Sequence, residues 1–170
     1  AGVVTEPTDL DIAVAHKGFE WARIDTIGRA AHGSRPAEGI DAILQMGRVL
    51  VALQSLDAAL QAGARHPRLG PASLHASLIE GGRELSSYPD RCTLQLERRT
   101  LPGEAPHVLI AEVNAILARL AAQDPAFSAQ ATALFGRPPY EVDAAHPLPL
   151  ALGVTARAAG CRANTIGMSF

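Results

Sequence analysis

Between Gly18 and Phe135 the apolar residues switch back and forth between a spacing of about two and one of about 3.6, and this succession limits the fold more than any single motif does. Phe19 to Ile27 carries β-forming side chains (Phe19, Trp21, Ile24, Thr26, Ile27) and predicts a strand. From Gly39 to about Gln61, Ile40, Ile43, Leu44, Gly47, Leu50 and Val51 follow helical spacing, with Glu38 and Asp41 at the end where the helix dipole favours acids. Ser73 to Glu80 alternates Leu74, Ala76 and Leu78 against His75, Ser77 and Ile79. Asp90 to Arg99 alternates Cys92, Leu94 and Leu96 against Arg91, Thr93, Gln95, Glu97 and Arg99. A second helix is predicted from Glu104 to about Ala122, with Pro106 in its first turn and Leu109, Val113, Ile116, Leu117 and Leu120 as its buried stripe. Phe127 to Phe135 alternates again and predicts a fourth strand.

This β-α-β-β-α-β order implies an α+β, ferredoxin-like arrangement, one four-stranded antiparallel sheet with two helices on one face. The first helix has a second apolar stripe, Val49, Leu53, Leu56 and Leu60. Either it is deeply buried, or it packs on its own sheet and against a partner. Gly63 to Pro71 reads as a loop, Gly136-Arg137-Pro138-Pro139 as a boundary, and Pro147 to Ala159 as a third helix with Gly160 beyond its end. Leu10 to Ala15 alternates as a strand. Ala1 to Val4 runs apolar into Glu6-Pro7-Thr8 like the exit of a buried strand, so the chain is expected to be a piece of a longer one. Three segments follow, 1–17 and 138–170 as flanks and 18–137 as the domain between them; Ala1 to Gly18 and Val142 to Phe170 are expected to be partly disordered, swapped or packed non-natively.

At 170 residues, 48% hydrophobic, 19% charged and a net charge of −2, the chain lacks the basic surface that nucleic acid or an anionic membrane requires. Lys17 is the only lysine. Cys92 and Cys161 lie far apart, which predicts reduced thiols and a cytoplasmic setting, with one disulfide as the alternative. No unbroken apolar run reaches the length of a membrane span, and the stretch AGVVTEPT carries no basic n-region, so neither a transmembrane helix nor a signal peptide is expected within this sequence.

The stretch from Gly28 to Asp41, GRAAHGSRPAEGID, places His32 in a small-residue turn between a strand and a helix, where binding residues often lie; a solvent-facing histidine is the plainer alternative. Continued to Ile43, it resembles the lid-domain signature of the zinc-dependent amidohydrolase and peptidase family that includes acetylornithine deacetylase, succinyl-diaminopimelate desuccinylase, aminoacylase and glutamate carboxypeptidase. VVTEPTDLDIAVAHKG (Val3 to Gly18) and IEGGRELSSYPDRCTLQLERRTLPGE (Ile79 to Glu104) agree with it in order and spacing.

The resemblance implies the lid and dimerisation domain of a homodimeric hydrolase acting on N-acyl amino acids or small peptides. It implies two zinc ions in the intact active site, and a glutamate general base that takes the proton of the attacking water. The His-x-Asp and Glu-Glu pairs of that site are absent from this sequence, as the family places them before this stretch and the last histidine ligand after it. Glu6 matches a carboxylate ligand of one zinc; alone it holds no metal, and its plainer reading is a solvated turn acid. His32 matches the lid histidine that reaches the other subunit's active site and donates to the oxyanion of the tetrahedral intermediate. Arg99 matches an arginine that grips the substrate carboxylate, against an ion pair with Glu97 or Glu104 and with Arg98 as rival. Ser86 stands where many members have Asn, a shorter donor with less reach. The Leu-Ser-Ser-Tyr-Pro run resembles the deacetylase-like branch. The residues alone leave a second reading, a stand-alone ferredoxin-like module for self-association or a small ligand.

Overall fold

A computed structural model describes residues 2–169. Its elements are β1 (Ile12–His16), β2 (Gly18–Ile27), α1 (Ala42–Ala62), β3 (Arg65–His66), β4 (Gly70–Pro71), β5 (Ser73–Gly81), β6 (Arg91–Thr100), α2 (Val108–Gln123), β7 (Ala129–Arg137), β8 (Tyr140–Glu141), α3 (Pro147–Ala158) and β9 (Thr165–Met168).

Four strands form an antiparallel sheet in the order β5-β6-β2-β7. Inward-facing Ala22, Ile24, Leu94 and Leu96 meet Met46, Val49 and Leu53 of α1 and Leu109, Val113 and Leu117 of α2 in one core. The alternation in β6 continues past Leu96 to Arg98 and Thr100, which are also buried. α1 begins where Asp41 Oδ1 accepts the Leu44 N–H at 2.9 Å, satisfying one of the unpaired donors of the first turn.

Several expectations are corrected. α2 starts at Val108 rather than Glu104, because Arg98 and the Leu101 N–H capture the Glu104 carboxylate and His107 takes a left-handed φ of 61°. Its first turn is served from the sheet instead, Leu109 N–H donating to Glu20 at 2.9 Å. The fourth strand is β7, two residues later than its alternation predicts, so Gly136 and Arg137 belong to the sheet and Phe127 joins the core. A bulge between Ala76 and Leu78 breaks the alternation of β5, placing Ile79 opposite inward-facing Leu94. The 63–71 loop holds the β3–β4 hairpin.

The flanks pair with each other. β1 lies between β8 and β9, antiparallel to the first and parallel to the second. The tail after Cys161 is thus partly strand, and the early strand is Ile12–His16. Gly2 to Val4 form no strand, and Val3 and Val4 are exposed; Ala1 and Phe170 lie outside the described residues. Cys92 and Cys161 are both free thiols. By length and composition α1 is apolar enough to cross a membrane, with mean hydropathy 1.3 in its best window, which a search for unbroken apolar runs misses; here five of its residues are buried in the core over the sheet.

Candidate functional site

The 28–41 turn is clamped at its base and zipped along one side. Arg29 and Ile40 exchange backbone hydrogen bonds of 2.9 and 3.0 Å. The Gly33 N–H donates to the Ser86 carbonyl at 2.6 Å and the Tyr88 N–H to the Ala31 carbonyl at 2.8 Å, so His32 lies directly across from Ser87. Two glycines make this closeness possible. A Cβ on Gly28 would sit 2.1 Å from the Ile40 carbonyl oxygen, and one on Gly39 would sit 2.4 Å from the Tyr88 ring.

His32 is exposed, but its ring is not free to choose a tautomer. Nδ1 accepts the Ser34 backbone N–H at 3.2 Å and lies 2.8 Å from the Ser34 hydroxyl. An N–H can only donate, so in the neutral ring the proton is assigned to Nε2, which becomes the outward donor. Ser86 is next to it, its carbonyl accepting the Gly33 N–H. Glu84 accepts the Ser86 N–H at 3.0 Å, and hydrogen bonds from Ser87 and Ser86, with the nearby His32, hold its carboxyl below the usual range. Sequence reasoning passed over Glu84; its signal is an acid placed two and three residues before a pair of serines in a glycine-flanked loop.

Arg99 lies elsewhere. It sits on the open face of the sheet, its guanidinium over the Phe19 ring at 5.8 Å, 3.5 Å from Glu97 and donating to the Ser169 carbonyl. Lys17 is close by, its ammonium donating to the Pro71 carbonyl at 2.6 Å; burial and then Arg99 lower its pKa. The rival Arg98 faces the other way, 1% exposed and tied to Glu104 at 2.6 Å and Glu112 at 2.8 Å. His32 and Ser86 adjoin the Arg91 end of β6 and Arg99 its far end, about 26 Å away for eight strand residues. One chain therefore does not bring them together.

Glu6 is exposed, in a turn whose carbonyl accepts the Thr8 N–H. Among the described residues no group of three or more His, Cys, Asp or Glu side chains could hold a metal. The residues present do not fit a zinc ion, and no chemical step is derived through one.

The sheet, its two helices and the clamped turn define a two-layer α/β domain. The chain belongs to the peptidase dimerisation domain family of the M20 peptidases, whose model matches residues 14–125. It is 31% identical over 133 residues to acetylornithine deacetylase of Myxococcus xanthus, covering 75% of this chain and 34% of that protein. With the acetylornithine deacetylase of Buchnera aphidicola the identity is 34% over 103 residues, 59% of this chain and 27% of that one. The chain thus spans about a third of the length of these relatives. Aminopeptidase PepT of Bacillus cereus shares its fold, with a TM-score of 0.75, 16% identity, and coverage of 98% of this chain and 42% of that one. A tripeptidase of Staphylococcus aureus does so at a TM-score of 0.67 and 19% identity, covering 91% and 39%.

Proposed function

We propose that this chain is the lid and dimerisation domain, with short flanks, of a cytoplasmic metal-dependent hydrolase that cleaves the amide bond of N-acyl amino acids or small peptides. The strand order and the pair of helices are read as ferredoxin-like. The observation that carries the proposal is the exposed His32 ring, held at Nδ1 by Ser34 on a turn clamped to the Ser86 loop, which leaves Nε2 as the donor. A fixed donor is what an oxyanion needs, since no reorganisation is spent as charge develops. Ser86 lies beside it and becomes a second short donor once its hydroxyl turns from Glu84 to the substrate, and Arg99 adds a planar fork for the substrate carboxylate.

The separation of about 26 Å gives the roles a direction. A small amide cannot reach His32 and Arg99 of one chain, so in a two-fold dimer His32 and Ser86 serve the partner's site and Arg99 its own. Names of relatives, acetylornithine deacetylase among them, support the N-acyl amino acid class. The two zinc ions belong to the parent's catalytic part, where Glu6 would be one ligand among several; this stretch alone is expected to be inactive.

The test uses the intact parent. His32→Ala lowers turnover by roughly two orders of magnitude, and Arg99→Ala raises KM. Mixing the two impaired variants restores wild-type turnover and KM in about a quarter of the sites, the share expected when a two-fold dimer re-pairs at random and one site per heterodimer keeps both residues. No recovery on mixing, with each variant folded, places both residues in one subunit's site and overturns the shared arrangement.

A further inference from the structure

Only seven residues of this chain are aromatic (four Phe, two Tyr, one Trp), and three of them stand together on the open face of the sheet. Phe19, Trp21 and Phe135 have ring centroids 5.2 to 5.8 Å apart. The pairing register explains the cluster. Arg99, Phe19 and Arg137 lie side by side across β6, β2 and β7, and Glu97, Trp21 and Phe135 form the next row. A bulge follows at once between Trp21 and Ala22, so the alternation on β7 restarts below the cluster.

The cluster is held rather than loose. Trp21 Nε1 donates to Glu97 at 2.7 Å, Arg99 stands over Phe19 at 5.8 Å, and Arg137 stands over Phe135 at 4.4 Å. Yet Trp21 and Phe135 remain 43% and 45% exposed, although both helices lie on the other face. Large aromatic surface left in water, edged by the Arg99 and Arg137 guanidinium groups, complements one kind of small molecule: an apolar group joined to an anion.

We propose that Phe19, Trp21 and Phe135 form the subsite for the substrate's side chain, with Arg99 and Arg137 as its anion grip, and that the ligand is an N-acyl amino acid whose side chain is aromatic. The inference rests on reading Arg99 as the carboxylate grip. It adds a specificity surface and a second arginine. Stacking sets the preference for a flat side chain, and the two guanidiniums set the requirement for a free carboxylate.

Trp21, the only tryptophan, is a built-in reporter. N-acetyl-L-phenylalanine, N-acetylglycine and N-acetyl-L-phenylalaninamide are titrated into the 170-residue chain while Trp21 emission is followed. The first changes the emission saturably, with half-saturation in the millimolar range or tighter. The second, without the ring, and the third, without the carboxylate, bind at least about tenfold more weakly. Arg137→Ala and Phe135→Ala, both at exposed positions, weaken the first ligand by a similar factor with an unchanged circular dichroism spectrum. No saturable response up to the solubility limit, equal responses to all three, or a response that tracks self-association overturns the subsite. A parent that hydrolyses N-acyl amino acids while this titration fails leaves the hydrolase reading intact and removes the subsite, both its aromatic preference and its two-arginine grip.

Discussion

At the scale of single residues, burial and chemistry sort the charged side chains of β6 and its neighbours into anchors and reachable groups. Asp25 is an anchor. It points to the open face, yet it is only 3% exposed, because Arg91 at 2.8 Å, Arg23 at 2.9 Å and Thr93 at 2.6 Å close around it. Burial alone would push its carboxyl up, but the hydrogen bonds from Thr93, Arg23 and Arg91 outweigh it and hold the carboxyl below the ordinary Asp value. A depressed carboxyl stabilises the fold above the ordinary value near 3.9, and that contribution is lost as pH falls through the lower, folded value. Asp25→Asn should therefore cost about 1.5 to 3 kcal/mol at neutral pH. The thermal midpoint of the wild type should converge on that of the variant as pH is lowered from about 5 to 2, and parallel curves would remove Asp25 from the acid response. His32 is the opposite case, an exposed ring whose orientation comes from one local backbone donor. That His32 sits in a tight turn between a strand and a helix is legible in the Gly-Ser-Arg-Pro run; which nitrogen Ser34 holds is not, because it depends on a contact two residues away that only the folded turn defines.

At the scale of elements, α2 is fastened to the sheet by charge as well as by its apolar stripe. Arg98, 1% exposed, reaches Glu104 before the helix and Glu112 within it. Burial would lower its pKa, but the two carboxylates hold it above the ordinary value, so it stays charged. Glu112 is shifted upward, mainly by burial and further by Glu104 and Glu20. Its raised carboxyl favours the fold as it takes up a proton, opposite in sign to Asp25. Arg98→Leu leaves two acids unpaired and should cost about 3 to 5 kcal/mol, a fall in thermal midpoint of roughly 10 °C for a chain of this size. Arg98→Leu with Glu112→Gln should recover part of that loss, and an unchanged midpoint in the single variant would show that α2 is held by its apolar stripe alone. The long elements were legible because their apolar period is sustained: α1, β6 and the stripe of α2 emerge from spacing. The two-residue strands β3, β4 and β8 are too short to carry a period. β9 pairs with β1 across some 150 residues of chain, through a register no local pattern encodes. Glu104 and Pro106 look like a helix entrance in the sequence, whereas the charge on Arg98 draws Glu104 onto the helix-covered face of the sheet instead.

For the whole molecule, the family supplies self-association, and the surface left uncovered indicates where. α1 turns Leu44, 71% exposed, and Val51, 64% exposed, away from its own core, while edge strand β5 leaves Leu78 and Ile79 in water and has a strand partner on one side only. An edge strand beside an apolar helix face is self-complementary, so two copies related by a two-fold axis can continue the sheet and bury the stripe together. The same corner holds the start of α1 and the end of β5, where a Cβ on Gly81 would sit 3.1 Å from the Ile43 side chain. The loop after β5 runs directly to Ser86 and the His32 turn. Association through this corner would carry His32 toward the partner and leave Arg99 at the far end of β6, as the proposed shared site requires. Leu44→Glu combined with Val51→Glu places like charges across the axis at positions that do not contribute to the buried core. In sedimentation equilibrium the wild type should be a dimer, and the double variant a monomer weakened in association by at least about a hundredfold, with the same circular dichroism spectrum and a thermal midpoint altered only by the lost association. A double variant that still dimerises moves the axis away from α1, and with it the route by which His32 reaches a second active site.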